Sequence, residues 1–221
     1  MIRKMIKFQY KNMDILIKKR TLMRLEQHIM SENYQITISK LTRDLPIVPI
    51  KSDLAIASFV LLGDAELAHV AAVELSKAID FEFDYIVTPE TKGIPLAQEM
   101  TRQTGKSNYI VIRKNVKSYM TSPLVVKSSA ITTATPQTLV LDGKDAKIIH
   151  NKKVLVVDDV ISTGGSLTAV EKILSQAGAH IVGKFAILAE GQASQRDDIT
   201  FLSALPLFKL GADGQYHIIK A

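Results

Sequence analysis

The sequence predicts an α/β protein: a mostly parallel, doubly wound sheet with a small subdomain appended before it. Three observations lead there. From Gly63 onward, short apolar runs alternate with amphipathic stretches, the order that puts parallel strands and crossover helices into one sheet. Residues 154–166 (VLVVDDVISTGGS) pass from an apolar run through paired carboxylates to a Gly-rich turn and a helical pattern. The first 50 or so residues do not share this alternation, which sets residues 1–50 apart from a core over 51–221.

The elements follow in order. Residues 13–30 carry Ile15, Leu16, Met23, Ile29 and Met30 among charges, a helical pattern. Residues 34–39 alternate as a strand does. Residues 45–50 are extended, because Pro46 and Pro49 bar helix and push their predecessors towards β geometry. Residues 54–62 read as a buried strand. Asp64 caps a helix over 65–79, whose apolar face is Leu67, Ala68, Ala71, Ala72, Leu75 and Ile79. A strand at 85–88 leads into a loop at 89–93 and a helix from Pro95 to about Arg102; proline suits the first helical turn. The next strand is 108–112. A polar stretch follows to about Pro136, rich in Ser, Thr and Lys, with a hairpin expected from 124–127 and 138–141. A loop this long inside a compact domain is usually functional. A strand at 153–157, a helix at 166–177 and a strand at 181–188 complete the last βαβ unit. That helix buries Leu167, Val170, Ile173, Leu174 and Ala177, and Gly178 caps its end.

Composition removes several function classes. The 221 residues include no cysteine, which excludes disulfides and thiolate metal sites. The five histidines show no zinc-ligand spacing. No apolar run approaches the ~20 residues that span a bilayer, and residues 1–30 lack the order of a secretory signal, so a cytoplasmic location and no membrane partner are expected. The net charge of +6 is uneven: residues 1–25 hold eight Lys and Arg against Asp14 alone. This reads as a solvated basic face, with nucleic acid as the alternative partner. Only Phe8 and Tyr10 are there to stack on bases.

The chemistry concentrates in residues 154–166. Ligands of open α/β sheets bind at the carboxyl ends of the strands, where Asp158 and Asp159 fall. Adjacent carboxylates are costly to bury unpaired, so they face solvent, a cation or the hydroxyls of a ligand. Ser162, Thr163, Gly164, Gly165 and Ser166 then offer successive backbone N–H groups, hydroxyls and the positive end of a helix, an anion cradle. The spacing is neither GxxxxGK[ST] nor GxGxxG. Phosphate in the loop with sugar hydroxyls on the carboxylates is the ligand this order describes.

Residues 154–166 resemble the phosphoribosyl-diphosphate (PRPP) signature of the type I phosphoribosyltransferase family, and the resemblance covers about residues 63–208. Within the family, residues 85–93 (YIVTPETKG) and 111–114 (VIRK) are most similar to adenine phosphoribosyltransferases and related purine enzymes. The resemblance implies a type I phosphoribosyltransferase fold with a hood-like N-terminal subdomain and a mobile lid at about 115–137. It implies catalytic, ribose-binding roles for Asp158 and Asp159. Ser162, Thr163, Gly164, Gly165 and Ser166 would hold the 5′-phosphate. Glu90, Thr91, Lys92 and Gly93 would form the pyrophosphate loop, with a non-proline cis peptide at Glu90–Thr91. Arg113, Lys114 and Lys117 would reach pyrophosphate, across a homodimer interface. Val160 would lie against the purine. No protein side chain would bind the metal; Mg²⁺ would enter with PRPP and water.

The implied activity is transfer of the phosphoribosyl group to a purine base, adenine first, in nucleotide salvage, with release of pyrophosphate. The protein would align base and sugar and stabilise the departing diphosphate. Three departures stand out. Residues 115–137 contain no acid, where adenine-specific relatives carry a glutamate. Thr91-Lys92-Gly93 replaces Ala/Ser-Arg-Gly. No adenine-stacking aromatic is found near 45–50. The alternative reading is a PRPP-sensing regulator of purine metabolism with weak or no transferase activity; a third is a pyrimidine or orotate acceptor.

Overall fold

The computed structural model describes residues 33–128 and 137–219. The helix expected over 13–30 and the basic segment 1–25 lie outside the described residues, as does the middle of the polar stretch. In chain order the elements are β1 (Asn33–Ile38), β2 (Leu41–Pro49), β3 (Leu54–Ala57), α1 (Ala65–Lys77), β4 (Tyr85–Pro89), α2 (Ile94–Gln103) and β5 (Tyr109–Ile112). Then come β6 (Leu124–Ser128), β7 (Gln137–Leu141), α3 (Gly143–Ile149), β8 (Lys153–Ile161), α4 (Gly165–Gln176) and β9 (His180–Glu190). A 3-10 turn (Gly191–Gln195), β10 (Thr200–Leu205), β11 (Leu207–Leu210) and β12 (Tyr216–Ile218) close the described chain.

The central sheet runs β10-β9-β8-β4-β5, and every pairing in it is parallel. The expected α/β architecture is therefore present. Parallel strands need cover on both faces, and β8 shows how the sequence meets this with its two-residue period. Leu155 and Val157 point into one apolar layer, with Phe185, Leu67, Leu75, Leu96 and Met100. Val154 and Val156 point into the other, with Val170, Ile173, Leu174, Ile149 and Leu139.

A second sheet, β1-β2-β3-β11-β12, is antiparallel. It draws strands from both ends of the described chain. It joins the first apolar layer through Ile36, Ile38, Ala55 and Phe208, and Tyr34 meets Phe208 edge-on, with ring centroids 5.5 Å apart. Arg43 fixes its other side: Nε lies 2.7 Å from Asp64 Oδ2, and Nη2 lies 2.9 Å from Glu66. Asp64 does two things at once, since it also accepts the Leu67 N–H and caps α1 as expected.

Some expectations need correction. The run at 54–62 is strand only over Leu54–Ala57. Ser58 N–H still donates to Pro46 O, but beyond it the chain leaves the sheet for the α1 cap. Strand β8 does not stop at 157; it continues to Ile161 and pairs with β9 to the end. The hairpin in the polar stretch is β6–β7, antiparallel. Helix α3 and strands β10 to β12 carried no legible signal. They are three to seven residues long, too short for periodicity to show.

Phe185 is 2 % exposed at the centre of the first layer. Phe185→Ala should lower stability by about 3–5 kcal/mol, read as a fall in the urea midpoint; a change below 1 kcal/mol would mean that the sheet and its helices are not packed through this ring.

Candidate active site

Three segments meet at the carboxyl ends of β4, β5 and β8. The first is the turn after β4, residues 90–93, which contains a cis peptide between Glu90 and Thr91. Its close fit to β8 depends on Gly93. A Cβ there would lie 2.5 Å from Thr88 Oγ1 and 2.9 Å from Asp158 Oδ1, so no larger residue leaves room. Glu90 turns towards the start of the long loop. Its carboxylate accepts the Lys114 N–H at 2.9 Å and lies 3.3 Å from Arg113 Nη2. The Lys114 N–H, followed by the charges of Arg113 and Lys117, outweighs burial and holds the Glu90 carboxyl below the usual range.

The second segment is the end of β8. Asp159 is 3 % exposed. Lys92 Nζ lies 2.9 Å from Asp159 Oδ2, but Oδ2 has no aligned hydrogen bond, so the contact is an ion pair. The same ammonium donates to Phe59 O at 3.2 Å. Asp158 accepts the Asp159 N–H at 2.9 Å. Its carboxyl is pushed well above the usual range, first by burial and then by the Asp159 charge, with Lys92 opposing.

The third segment is the turn into α4. Gly164 has φ +82° and stands at the helix N-cap with no side-chain cap, so backbone N–H groups are left open at the positive end of α4. Ser162, Thr163, Gly164, Gly165 and Ser166 line a cavity of about 100 Å³ with Pro89, Asp158 and Val160. The loop 162–166 and the Asp158 carboxyl thus share one small cavity. Val160 also packs against the first apolar layer.

Two residues near this turn had escaped notice. Glu190 Oε2 accepts the Ser162 hydroxyl at 2.6 Å, which commits that proton to protein in this state. Arg196 lies against Gly164, where a Cβ would meet its Nη1 at 3.0 Å. Glu190 is the last residue of β9 and Arg196 follows the turn after it, at the carboxyl end where ligands of such sheets gather. Ending that strand at 188 hid the signal. Glu190, Arg196, Ser162 and Thr163 also line a larger cavity of about 1080 Å³. Its other walls are Tyr34 of β1, Leu205 to Leu207, and Ile218 and Ile219. This cavity lies between the anion loop and the second sheet.

Among the described residues, no group of three or more His, Asp or Glu side chains is placed to hold a metal, and no helix is long and apolar enough to cross a membrane. The site can therefore bind an anion in the loop and donor groups on Asp159. Lys92, Arg113, Lys114 and Lys117 form a basic border on the side of the Glu90 turn.

Comparison with known proteins agrees with this geometry. The family model described as "Phosphoribosyl transferase domain" matches residues 63–207. A hypoxanthine/guanine phosphoribosyltransferase of Methanothermococcus okinawensis is 34% identical over 136 residues, covering 62% of this chain and 70% of the relative. An adenine phosphoribosyltransferase of Petrotoga mobilis is 27% identical over 175 residues, covering 79% and 98%. The crystal structure of adenine phosphoribosyltransferase from Thermoanaerobacter pseudethanolicus shares the fold, with a TM-score of 0.55 at 20% identity over 80% of this chain and 98% of that one. The matched span runs from before α1 to the start of β11 and includes all three segments of the site, and on that ground the chain belongs to the phosphoribosyltransferase family of transferases.

Proposed function

We propose that this protein transfers the phosphoribosyl group of PRPP to a purine base and releases pyrophosphate. The observation that carries the reading is the shared cavity that places the loop 162–166 beside Asp158. A 5′-phosphate on the loop leaves the ribose hydroxyls facing Asp158 and Asp159. The diphosphate on C1 then points towards the Glu90–Gly93 turn, with Lys92, Arg113, Lys114 and Lys117 in reach. The base enters from the larger cavity, and Val160 supports its ring.

The chain's part in the reaction is alignment and charge. Displacing diphosphate builds positive charge on the ribose, as in glycoside chemistry. Asp158 and Asp159 hold the hydroxyls of that ring and set carboxyl oxygens beside it. The basic side chains receive the charge that leaves with the diphosphate. Mg²⁺, when bound, neutralises diphosphate oxygens. The buried Asp159 oxygen without a hydrogen bond fits a ligand carrying its own ion and hydroxyls, whereas the described side chains form no cage for a free ion.

Adenine is the acceptor expected from the sequence. The relatives named for hypoxanthine and guanine make 6-oxopurines the competing acceptors. The test incubates the full chain with Mg²⁺, PRPP and adenine, hypoxanthine, guanine, xanthine, uracil or orotate, and follows pyrophosphate. Release with a purine is expected. Binding of PRPP with no release from any base would replace the enzyme by a sensor, and release with orotate alone would move the acceptor to pyrimidines.

Asp159→Asn should raise KM for PRPP roughly 10- to 100-fold, the loss of a hydrogen bond to a charged group. It should leave Tm nearly unchanged, because Lys92 is 44% exposed and can turn to water. Unchanged PRPP kinetics would remove Asp159 from the site.

The raised Asp158 carboxyl has a consequence for stability. Its folded-state pKa lies above the ordinary 3.8. The folded chain therefore holds the proton more tightly, and this group's contribution falls as pH rises from 3.8 through the folded value. Asp158→Asn should flatten that slope in melting curves across pH and abolish PRPP use. A variant that keeps the wild-type slope would show that Asp158 is not the group responsible.

A further inference from the structure

We infer that Arg196 contacts the 5′-phosphate of the ligand, as a charged partner of the loop 162–166 beyond those assigned above. The inference rests on the PRPP reading and adds a residue to it.

The first observation is how the guanidinium is held. Nε and Nη2 make a two-point pair with Asp198, at 2.8 and 2.7 Å. Asp198 also accepts from Lys184 Nζ at 2.7 Å, and that ammonium lies 2.6 Å from Glu171 on α4. The planar guanidinium is thereby fixed to β9 and to the helix whose N-terminus forms the anion cradle. A two-point pair of this kind sets direction as well as position.

The second observation is what remains. Nη1 makes no hydrogen bond among the described residues, and it approaches the loop so closely that a Cβ on Gly164 would come within 3.0 Å. If Arg196 served only to tie the turn after β9 to β10, the Asp198 pair would suffice. Nothing in that role brings the third nitrogen onto the loop.

The third observation is charge. The loop offers neutral N–H groups and hydroxyls. Two carboxyl groups stand beside it: Asp158, which lines the same cavity, and Glu190, 2.6 Å from the Ser162 hydroxyl. Lys92 is engaged with Asp159. A phosphate dianion placed there would face carboxyl oxygens on two sides. Arg196 is a cation already aimed at the loop, and a guanidinium suits phosphate by geometry as well as charge.

The test uses the full chain with two separate probes, ribose 5-phosphate and inorganic pyrophosphate, each titrated calorimetrically. Arg196→Gln should weaken ribose 5-phosphate by about tenfold or more while pyrophosphate affinity stays within twofold. Arg196→Lys should recover part of the loss, and Asp198→Asn should weaken the same probe less. The slope of log affinity for ribose 5-phosphate against log salt should become shallower in Arg196→Gln. Melting curves for each variant separate loss of contact from loss of fold, and a misfolded Arg196→Gln passes the question to Arg196→Lys. Unchanged ribose 5-phosphate affinity in the folded variant overturns the assignment, as does equal weakening of both probes. If the wild-type chain binds ribose 5-phosphate but transfers to no base, the transferase reading fails and the Arg196 assignment still stands on these titrations.

Discussion

Two adjacent carboxyl groups at the end of the central strand, with a single ammonium to answer them, constrain everything around this site. Strand β8 delivers Asp158 and Asp159 to opposite faces of the sheet in successive positions. Burial makes each expensive to ionise, and proximity makes both together more so. The fold meets the cost unequally. Asp159 pairs with Lys92, while Asp158 is pushed towards its neutral form. Lys92 reaches Asp159 only because the turn that bears it presses against β8. That approach in turn requires a residue with no side chain at Gly93. One glycine thus sets the distance between the two loops that would hold the two ends of a diphosphorylated sugar.

The second sheet takes its place from the same economy of contacts. Its strands come from residues on either side of the sheet core, and it closes over the first apolar layer through Ile36, Ile38 and Phe208. Arg43 clamps it to the N-terminus of α1, using the carboxylate that caps that helix. The arrangement leaves the larger cavity between β1, the end of β10 and the anion loop. Tyr34 and Ile218 reach this cavity from elements far apart in the chain. Its shape therefore belongs to the packed protein and could not be assembled from any one stretch.

Much of the architecture was readable because it is periodic or punctuated. The α1 face, the Asp64 cap, the β4 turn and the run from Val154 to Ser166 each announce themselves locally, and the cis peptide at Glu90–Thr91 follows from the resemblance they carry. What escaped was short or long-range. Helix α3 and strands β10 to β12 are too brief for a period. The run at 54–62 is apolar throughout its buried positions, yet hydrophobicity alone did not show where pairing stops. Glu190 and Arg196 look like ordinary surface charges in sequence. Their relation to Ser162 and Gly164 exists only once β9 lies beside β8. Residues that line a cavity by themselves were legible; residues that orient another segment's atoms were not.

This division bears on how the anion site works. The turn 162–166 supplies direction through fixed N–H groups and a helix dipole, but it brings no charge of its own. Glu190 accepts the Ser162 hydroxyl, so one donor that the sequence offers is spent on protein. The carboxyl groups proposed for the ribose hydroxyls would oppose phosphate. A loop of this composition therefore needs its cation from outside the loop, on an element rigid enough not to collapse onto the nearest carboxylate. The chain of Glu171, Lys184, Asp198 and Arg196 has that property. Each charge in it is held by the next, and the last guanidinium nitrogen is left directed at Gly164. The electrostatics of the candidate site thus depend on side chains from β9, α4 and the turn that follows β9 as well as on the thirteen residues that first identify it.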